Sequence, residues 1–248
     1  MRNLVIDIGN TCSKIALFDD GRCTWKADTA ALDVDDISRV ANGEPHTEHA
    51  ILGTSGDCPA QLAAVLCGRF SDMIFLNGRT PLPIRNCYQT PETLGSDRLA
   101  TAVGAVALYP RQNLMVIDAG TAITADIITA TGDYLGGAIS PGLQMRFTAL
   151  NRFTSRLPLL SPSDRPLPEV GRTTDEAIQL GVQRGVVAET EYAIAMSEKI
   201  HDNLMVIITG GDARFLAKRL KKQVFIIQEL GLIGLDHILR YNLSKKTG

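Results

Sequence analysis

Two short segments of the sequence place an aspartate and a glycine directly after an apolar run. Asp7-x-Gly9 follows Leu-Val-Ile, Asp118-x-Gly120 follows Met-Val-Ile, and a threonine comes within two residues of each glycine. A carboxylate at the end of a buried strand can bind a cation, and glycine lets backbone N–H groups approach an anion closely. Two such loops predict a site for a polyphosphate and its cation. The alternative is that each aspartate only stabilises a tight turn.

The same two segments belong to a longer internal repeat. Residues 3–11 and 113–121 share Asn-Leu, an apolar run, Asp, Gly and Thr, with a slip of one residue. Each copy continues into alternating apolar and polar residues and then a turn signal, at residues 19–21 and 131–133. We therefore predict a duplicated unit that begins with strand, Asp-Gly loop, strand, turn and strand.

A third group of reactive side chains, in Gly95-Ser96-Asp97-Arg98, opens a stretch rich in alanine and glycine. That stretch predicts a helix over 97–108, stopped by Pro110, whose small residues permit close packing between the halves of the chain. Asp97 could act as a general base and Arg98 could bind an anion. Equally, Asp97 could only cap the helix and Arg98 could form a surface ion pair.

Two glycine-rich segments could line a substrate or nucleotide. Residues 136–142 predict either a loop at a pocket or a tight connection, and the Gly-Gly pair within 209–213 lies between a predicted strand and helix. Such a pair could pass under a base or sugar, although glycine commonly ends strands. Neither a Walker phosphate-binding motif nor a dinucleotide-binding glycine motif occurs in the sequence.

Composition excludes several other classes of protein. The 248 residues are 45% hydrophobic and 21% charged, which excludes a disordered scaffold. A net charge of −2 and 5% aromatic residues do not favour nucleic-acid binding. The five scattered cysteines and four histidines predict neither a disulfide framework nor a zinc site. Because no apolar run is long enough for a signal peptide or a membrane span, we expect a cytoplasmic protein without membrane contact.

The remaining patterns predict alternating strands and helices, and hence an α/β protein. Strands are expected over 50–53, 73–76, 204–208 and 224–227, and helices over 59–69 and 213–221. A capping box, Thr173-x-x-Glu176, opens a long helix with apolar or small residues at 178, 182, 185, 193, 196 and 200, interrupted by Glu189. Prolines keep 80–94 and 161–171 irregular, and residues 244–248 are expected to fray.

The motifs together resemble the type III pantothenate kinase family of the actin, Hsp70 and sugar-kinase superfamily, over residues 4–235. Six motifs carry the resemblance, in order: DIGNT at 7–11, GSDR at 95–98, DAGT at 118–121, GGAISPG at 136–142, TDEA at 174–177 and TGGDA at 209–213. The resemblance implies duplicated ribonuclease-H-like (actin-like ATPase) domains with a cleft between them, here 1–110 and 111–248. It also implies a homodimer, a monovalent cation (K⁺ or NH₄⁺), and Mg²⁺ with ATP.

The resemblance assigns roles residue by residue. Asp97 matches the catalytic base, Asp118 the metal ligand for the monovalent cation, and Thr121 an ATP-contacting threonine. The expected ATP-binding residues of the first loop are Asp7, Ile8, Gly9, Asn10, Thr11, Cys12, Ser13 and Lys14. The expected pantothenate-binding residues are Tyr88, Gly95, Ser96, Asp97, Arg98 and Thr174.

The implied activity is ATP-dependent phosphorylation of pantothenate to 4′-phosphopantothenate, the first step of coenzyme A biosynthesis. One alternative is a non-catalytic regulatory relative that keeps the nucleotide cleft, which we would expect to have lost Asp7, Asp97 or Asp118. Another is a kinase of the same fold for a different small molecule. The sequence departs from the family pattern at Cys12 and at residues 52–55, which we expect to affect affinity more than activity.

Overall fold

The computed structural model describes residues 1–29, 34–43, 47–55 and 58–246, which form eleven strands and seven helices in those ranges. The strands are β1 Arg2–Ile8, β2 Ser13–Asp19, β3 Arg22–Thr29, β4 His49–Thr54, β5 Asp72–Phe75, β6 Arg85–Asn86, β7 Leu114–Ala119, β8 Ala122–Ile128, β9 Asp133–Pro141, β10 Met205–Thr209 and β11 Phe225–Ile226. The helices are α1 Val34–Gly43, α2 Ala60–Arg69, α3 Ser96–Leu108, α4 Leu143–Arg152, α5 Thr174–Glu198, α6 Ala213–Ala217 and α7 Leu230–Lys246.

The chain divides into two compact units that are not continuous in sequence. The first comprises Met1–Arg111, Ala130–Leu135 and Glu229–Gly248, and the second comprises Gln112–Thr129 and Gly136–Gln228. The first unit therefore includes α7, from the far end of the described chain. The domain boundary between residues 110 and 111 stays a prediction.

The sheet of the first unit has the order β3-β2-β1-β4-β5. Its first three strands are antiparallel, and β4 and β5 run parallel to β1. The predicted strands over 50–53 and 73–76 and the helix over 59–69 are confirmed to within one residue at each end. The predicted turn is confirmed as well, because Asp20 and Gly21 have φ values of 47° and 82°, as a tight hairpin turn requires.

Helices α3 and α7 pack against each other at glycine positions. A Cβ atom at Gly104 would lie 2.2 Å from the carbonyl oxygen of Leu230, and one at Gly234 would lie 1.7 Å from that of Ala100. The predicted helix over 97–108 is confirmed, and its small residues do allow close packing. Its partner, however, is a helix that we did not predict. Residues 244–246 form the end of α7 instead of fraying, and residues 247 and 248 lie outside the described ranges.

The sheet of the second unit has the order β11-β10-β7-β8-β9, with β10 parallel to β7 and β11. Strand β10 lies within one residue of its predicted range, whereas β11 and α6 are shorter than predicted. Residues 136–141 belong to strand β9, so the glycine-rich loop expected there is wrong. Within the described ranges, no helix combines the length and the apolar character needed to cross a bilayer.

The predicted apolar stripe on α5 is wrong after Val182. The buried positions repeat every four residues, through Val186, Thr190 and Ile194, while Ile200 is 74% exposed. The prediction missed Thr190 because it is polar, yet its hydroxyl donates to the carbonyl oxygen of Val186 at 2.8 Å and is therefore satisfied inside the core. Glu189, which interrupted the predicted stripe, lies on the exposed side of the true one.

The glycine contact between α3 and α7 gives a first prediction. We expect Gly234→Ala to lower the free energy of unfolding by about 1–3 kcal/mol or more, because the new methyl group would overlap a backbone carbonyl. Gly185→Ala is the matched control, since a Cβ there meets nothing within 4 Å on the exposed side of α5. It should raise stability by up to about 1 kcal/mol. Urea denaturation of both variants tests this, and equal effects would contradict it.

Candidate active site

The first predicted loop is the tip of the β1–β2 hairpin. Asp7 and Lys14 face each other across the two strands, and the backbone N–H of Gly9 donates to the carbonyl oxygen of Cys12 at 3.2 Å. A Cβ atom at Gly9 would lie 2.9 Å from that same oxygen, so the turn is too tight for a larger residue without a shift. Asn10 and Thr11 are exposed at the tip. The hairpin thus presents polar groups and backbone N–H groups from a fixed strand end.

Asp7 is an acid whose pKa is strongly raised by burial. Burial raises its pKa to about 6, the Lys14 ammonium group counteracts part of that rise, and the Asp97 carboxylate adds to it. The influence of Asp97 indicates that two predicted site residues from different elements share one electrostatic environment. A Cβ atom at Gly231 would lie 3.8 Å from Oδ2 of Asp7, so α7 begins beside this carboxylate.

The start of α3 carries Ser96, Asp97 and Arg98. The hydroxyl of Ser96 donates to the carbonyl oxygen of Thr54 at 2.6 Å and accepts from its N–H at 2.9 Å, which fixes the helix to the end of β4. Oδ1 of Asp97 accepts a hydrogen bond from the N–H of Arg98 at 2.8 Å. A Cβ atom at Gly95 would lie 2.4 Å from the same Oδ1, so the approach of this carboxylate favours glycine.

Arg98 is buried and stacks on an aromatic side chain. It is 6% exposed, and its guanidinium carbon lies 5.5 Å from the ring centroid of Tyr88. Behind Tyr88 lies Tyr134, with 6.3 Å between the ring centroids. Tyr134 was not among the predicted site residues, and it is fully buried in the first residues of β9. Its only signal was the turn just before it, at residues 131–133.

In the second unit, three loops meet around Asp118. A Cβ atom at Gly210, where φ is 90°, would lie 2.5 Å from Oδ1 of Asp118 and 2.5 Å from the carbonyl oxygen of Ala119. The N–H of Gly142 donates to the carbonyl oxygen of Thr121 at 3.0 Å. The sequence predicted roles for Asp118 and Thr121, and the structure adds glycines that allow this close approach.

The groups around Asp118 fit a hard cation. They comprise its carboxylate and the backbone carbonyl oxygen of Ala119, each 2.5 Å from the Cβ position of Gly210, and hard cations prefer oxygen ligands. Gly210 keeps the space beside Oδ1 free of a side chain. In the described part of the chain, no group of three or more His, Cys, Asp or Glu side chains could hold a metal ion.

Thr174, a predicted pantothenate contact, is the first residue of α5 and is exposed in the second unit. The predicted capping box is confirmed at its first bond, since the N–H of Glu176 donates to the hydroxyl of Thr173 at 3.2 Å. The return bond differs, because the Glu176 carboxylate accepts from the N–H of Arg172 at 2.7 Å instead of that of Thr173. The other predicted pantothenate contacts, Tyr88 and Gly95 to Arg98, belong to the first unit.

The sequence matches known proteins along nearly its whole length. Residues 3–196 match the family profile described as Type III pantothenate kinase. A type III pantothenate kinase from Bacteroides fragilis is 42% identical over 241 residues, covering 97% of this chain and 98% of the relative. The chain belongs to the type III pantothenate kinase family.

Two solved structures, each less than 25% identical, show the fold of this family member. The activator of the 2-hydroxyisocaproyl-CoA dehydratase from Clostridium difficile, with bound ADPNP, has a TM-score of 0.58 at 14% identity and covers 100% of this chain and 98% of its own. A ROK family glucokinase from Streptomyces griseus has a TM-score of 0.54 at 12% identity, covering 97% of this chain and 100% of its own. The expected α/β fold of the actin-like ATPases and sugar kinases is confirmed.

The raised pKa of Asp7 predicts that the protein becomes more stable when the charge of this residue is removed. Because the pKa of Asp7 is raised in the folded protein, the folded state binds this proton more tightly than the unfolded state. The contribution of Asp7 to stability is therefore greatest below about pH 4 and is lost as the pH rises through about 6. We expect Asp7→Asn to raise the free energy of unfolding by about 1–3 kcal/mol at about pH 7.5.

This gain should shrink as the pH falls from about 7.5 towards 4, because Asp7 is then protonated in the folded protein. Urea denaturation at several pH values measures it. Asp28→Asn, at an exposed position of β3, is the control for removal of a surface carboxylate. A gain from Asp7→Asn that did not vary with pH would show that the charge of Asp7 is not its cause.

Proposed function

We propose that this protein transfers the γ-phosphoryl group of ATP to the primary hydroxyl of pantothenate, giving 4′-phosphopantothenate and ADP, the first step of coenzyme A biosynthesis. Family membership across nearly the whole chain supports the proposal. The observation that carries it is the group at the start of α3, where Asp97 adjoins a buried Arg98 stacked on Tyr88. In this group, Asp97 can accept a proton and the adjacent Arg98 can bind an anion.

In the proposed reaction, the hydroxyl oxygen of pantothenate forms a bond to the γ-phosphorus as the bond from that phosphorus to the β–γ bridging oxygen breaks. Asp97 accepts the hydroxyl proton. Because Oδ1 of Asp97 already accepts a hydrogen bond from the N–H of Arg98, we assign the proton-accepting role to Oδ2. Since charge in such transition states is diffuse, positioning and electrostatic stabilisation contribute most of the rate.

Arg98 is proposed to bind the pantothenate carboxylate. A guanidinium group donates two parallel hydrogen bonds to a carboxylate, and stacking on Tyr88 limits the orientations available to it. Gly95, Ser96 and Thr174 are proposed as further pantothenate contacts. For Ser96, the two hydrogen bonds to Thr54 favour a positioning role, because they fix the start of α3.

ATP is proposed to bind the hairpin residues 7–14 together with Thr121. Lys14 supplies a positive charge beside Asp7, and the backbone N–H groups of the loop can donate to phosphate oxygens. Asp7 would hold Mg²⁺ together with the ATP phosphates, since Mg²⁺ commonly combines one or two carboxylates with substrate phosphates. Asp118 would hold K⁺ or NH₄⁺, which when bound offsets negative charge among the phosphates.

The assignment of Asp97 gives a kinetic prediction. We expect Asp97→Asn to lower kcat by roughly 10²–10⁴, the usual contribution of a general base, with a much smaller change in the KM for pantothenate. Glu92→Gln is the matched control, because Glu92 is exposed in the short 3-10 turn that precedes α3. Steady-state kinetics on folded variants decide the matter, and full turnover by Asp97→Asn would refute the assignment.

The activity itself is tested by ADP release from Mg-ATP with pantothenate, with and without K⁺ or NH₄⁺. We expect turnover that depends on both pantothenate and the cation. Asp118→Asn should raise the K⁺ concentration needed for half-maximal activity by about tenfold or more, since a charged ligand is lost. No turnover by folded protein over a wide range of ATP concentrations would favour the non-catalytic regulatory alternative.

We further propose that the protein acts in the cytoplasm as a homodimer. Exposed apolar side chains on the second unit support the dimer, including Ile139, Phe153 at 81% exposure and Tyr192. We expect light scattering to give twice the mass of 26.8 kDa. Tyr192→Lys should shift the equilibrium towards the monomer, and a monomeric protein at assay concentrations would refute the proposal.

A further inference from the structure

The second unit contains a cavity of about 600 Å³ that involves none of the predicted site residues. One wall is the middle of α5, from Gln183 to Glu191, and another is the proline-rich segment 164–167. Lys218 and Arg219, which follow α6, complete it. The cavity thus joins three parts of the same unit.

The cavity carries more positive charge than its own carboxylates balance. Lys218 and Arg219 share the carboxylate of Asp164, at 3.5 and 3.2 Å. Among the described residues, Arg184 donates to the backbone carbonyl oxygens of residues 168 and 169, at 2.8 and 3.1 Å, and to no carboxylate. In the described part of the chain, the guanidinium group of Arg165 has no hydrogen-bond or ion-pair partner.

The remaining carboxylate of the cavity, that of Glu191, is already engaged. It accepts from the backbone N–H of Lys221 at 3.1 Å and lies 3.9 Å from the ammonium group of the same residue. Four cationic side chains therefore face two carboxylates, and two guanidinium groups have no carboxylate partner among the described residues. The whole chain, by contrast, has a net charge of −2.

Besides these charges, the cavity wall contains a buried side-chain amide, that of Gln183. Gln183 is 1% exposed, and its side-chain N–H group donates to Oε1 of Gln179. The amide nitrogen of Gln179 donates in turn to the carbonyl oxygen of Ser161 at 2.7 Å, which fixes the orientation of both amides. Oε1 of Gln183 is left without a hydrogen-bond partner in the described ranges. Buried acceptors are normally satisfied, and Gln183 is one of the residues that line the cavity.

We propose that this cavity binds a small phosphate monoester with a short aliphatic body and a hydroxyl or amide N–H group. A phosphate monoester carries close to two negative charges at neutral pH, which match the two unbalanced guanidinium groups of Arg165 and Arg184. Leu167 and Val187 also line the cavity and suit an aliphatic body. The ligand's donor satisfies Oε1 of Gln183.

Two synthetic probes of equal length test the proposal: 4-hydroxybutyl phosphate, which has the donor, and n-pentyl phosphate, in which a methyl group replaces the hydroxyl. Calorimetry and ligand-observed NMR, without ATP or turnover, measure their affinities independently of any kinase activity. We expect the hydroxyl probe to bind about fivefold more tightly, as one hydrogen bond predicts. Gln183→Leu should abolish this preference.

The charge is tested separately. Arg165→Gln should weaken both probes by about tenfold, because a charged hydrogen-bond partner is lost. Arg152→Gln, the same charge change at the exposed end of α4, should leave both affinities unchanged. Because Arg165 is exposed, its variant is informative even if Gln183→Leu does not fold.

Three results would overturn the proposal. The first is no binding of either probe up to its solubility limit, and the second is binding that Arg165→Gln leaves unchanged. The third is displacement of the hydroxyl probe by ATP or pantothenate, which would place it among the proposed substrate-binding residues. Binding that survives saturating ATP and pantothenate and is lost in Arg165→Gln supports it.

Discussion

Helices α3 and α7 approach so closely at Gly104 and Gly234 that no side chain fits between their backbones. The first turn of α3 carries Asp97 and Arg98, and α7 begins beside Asp7. The depth of this helix contact therefore affects where the Asp97 carboxylate lies relative to Asp7. Two hydrogen bonds between Ser96 and Thr54 add a second constraint, at the end of β4. The proposed proton acceptor thus depends on a contact between glycines that have no chemical role of their own.

The same packing has an electrostatic consequence. Asp7 is partly removed from water and lies within the influence of Asp97, so its charged form is disfavoured and its pKa is raised to about 6. Such a carboxylate is poor for stability but suits a cation or a cation-bound phosphate, which would relieve the repulsion. Lys14 offsets only part of the unfavourable interaction. In the first unit, therefore, a carboxylate whose charge is unfavourable in the folded protein is also one proposed to contact the nucleotide.

Local patterns in the sequence predicted the local parts of this structure. The β1–β2 loop, the turn at Asp20-Gly21 and the start of α3 depend on residues close in sequence, and the structure confirms each of them. Contacts between distant segments were not predictable in this way. Nothing in residues 230–246 indicates that they pack on α3, and the aromatic partner Tyr134 comes from a segment separate in sequence from Tyr88.

The errors on α5 have a related cause. The prediction used hydrophobic residues alone and therefore chose positions on the exposed side of α5 after Val182. It left out Thr190, whose hydroxyl forms a hydrogen bond to the helix backbone and can therefore be buried. The predicted glycine-rich loop failed because residues 136–141 continue strand β9, beside β8, although glycine is uncommon within strands. The roles of the predicted site residues stay predictions, since family membership does not by itself assign them.

The first unit combines segments that are far apart in the sequence, which affects the order in which the protein can fold during synthesis. Its sheet and α3 emerge from the ribosome early, but α7 is translated more than a hundred residues after α3 ends. Until then, the buried side of α3 has no helix to cover it, whereas both segments of the second unit, 112–129 and 136–228, are translated before α7. Folding from the amino terminus onward, the usual order for separate domains, is therefore interrupted. Until α7 has been translated, the first unit is incomplete in the nascent chain, and the uncovered side of α3 favours aggregation.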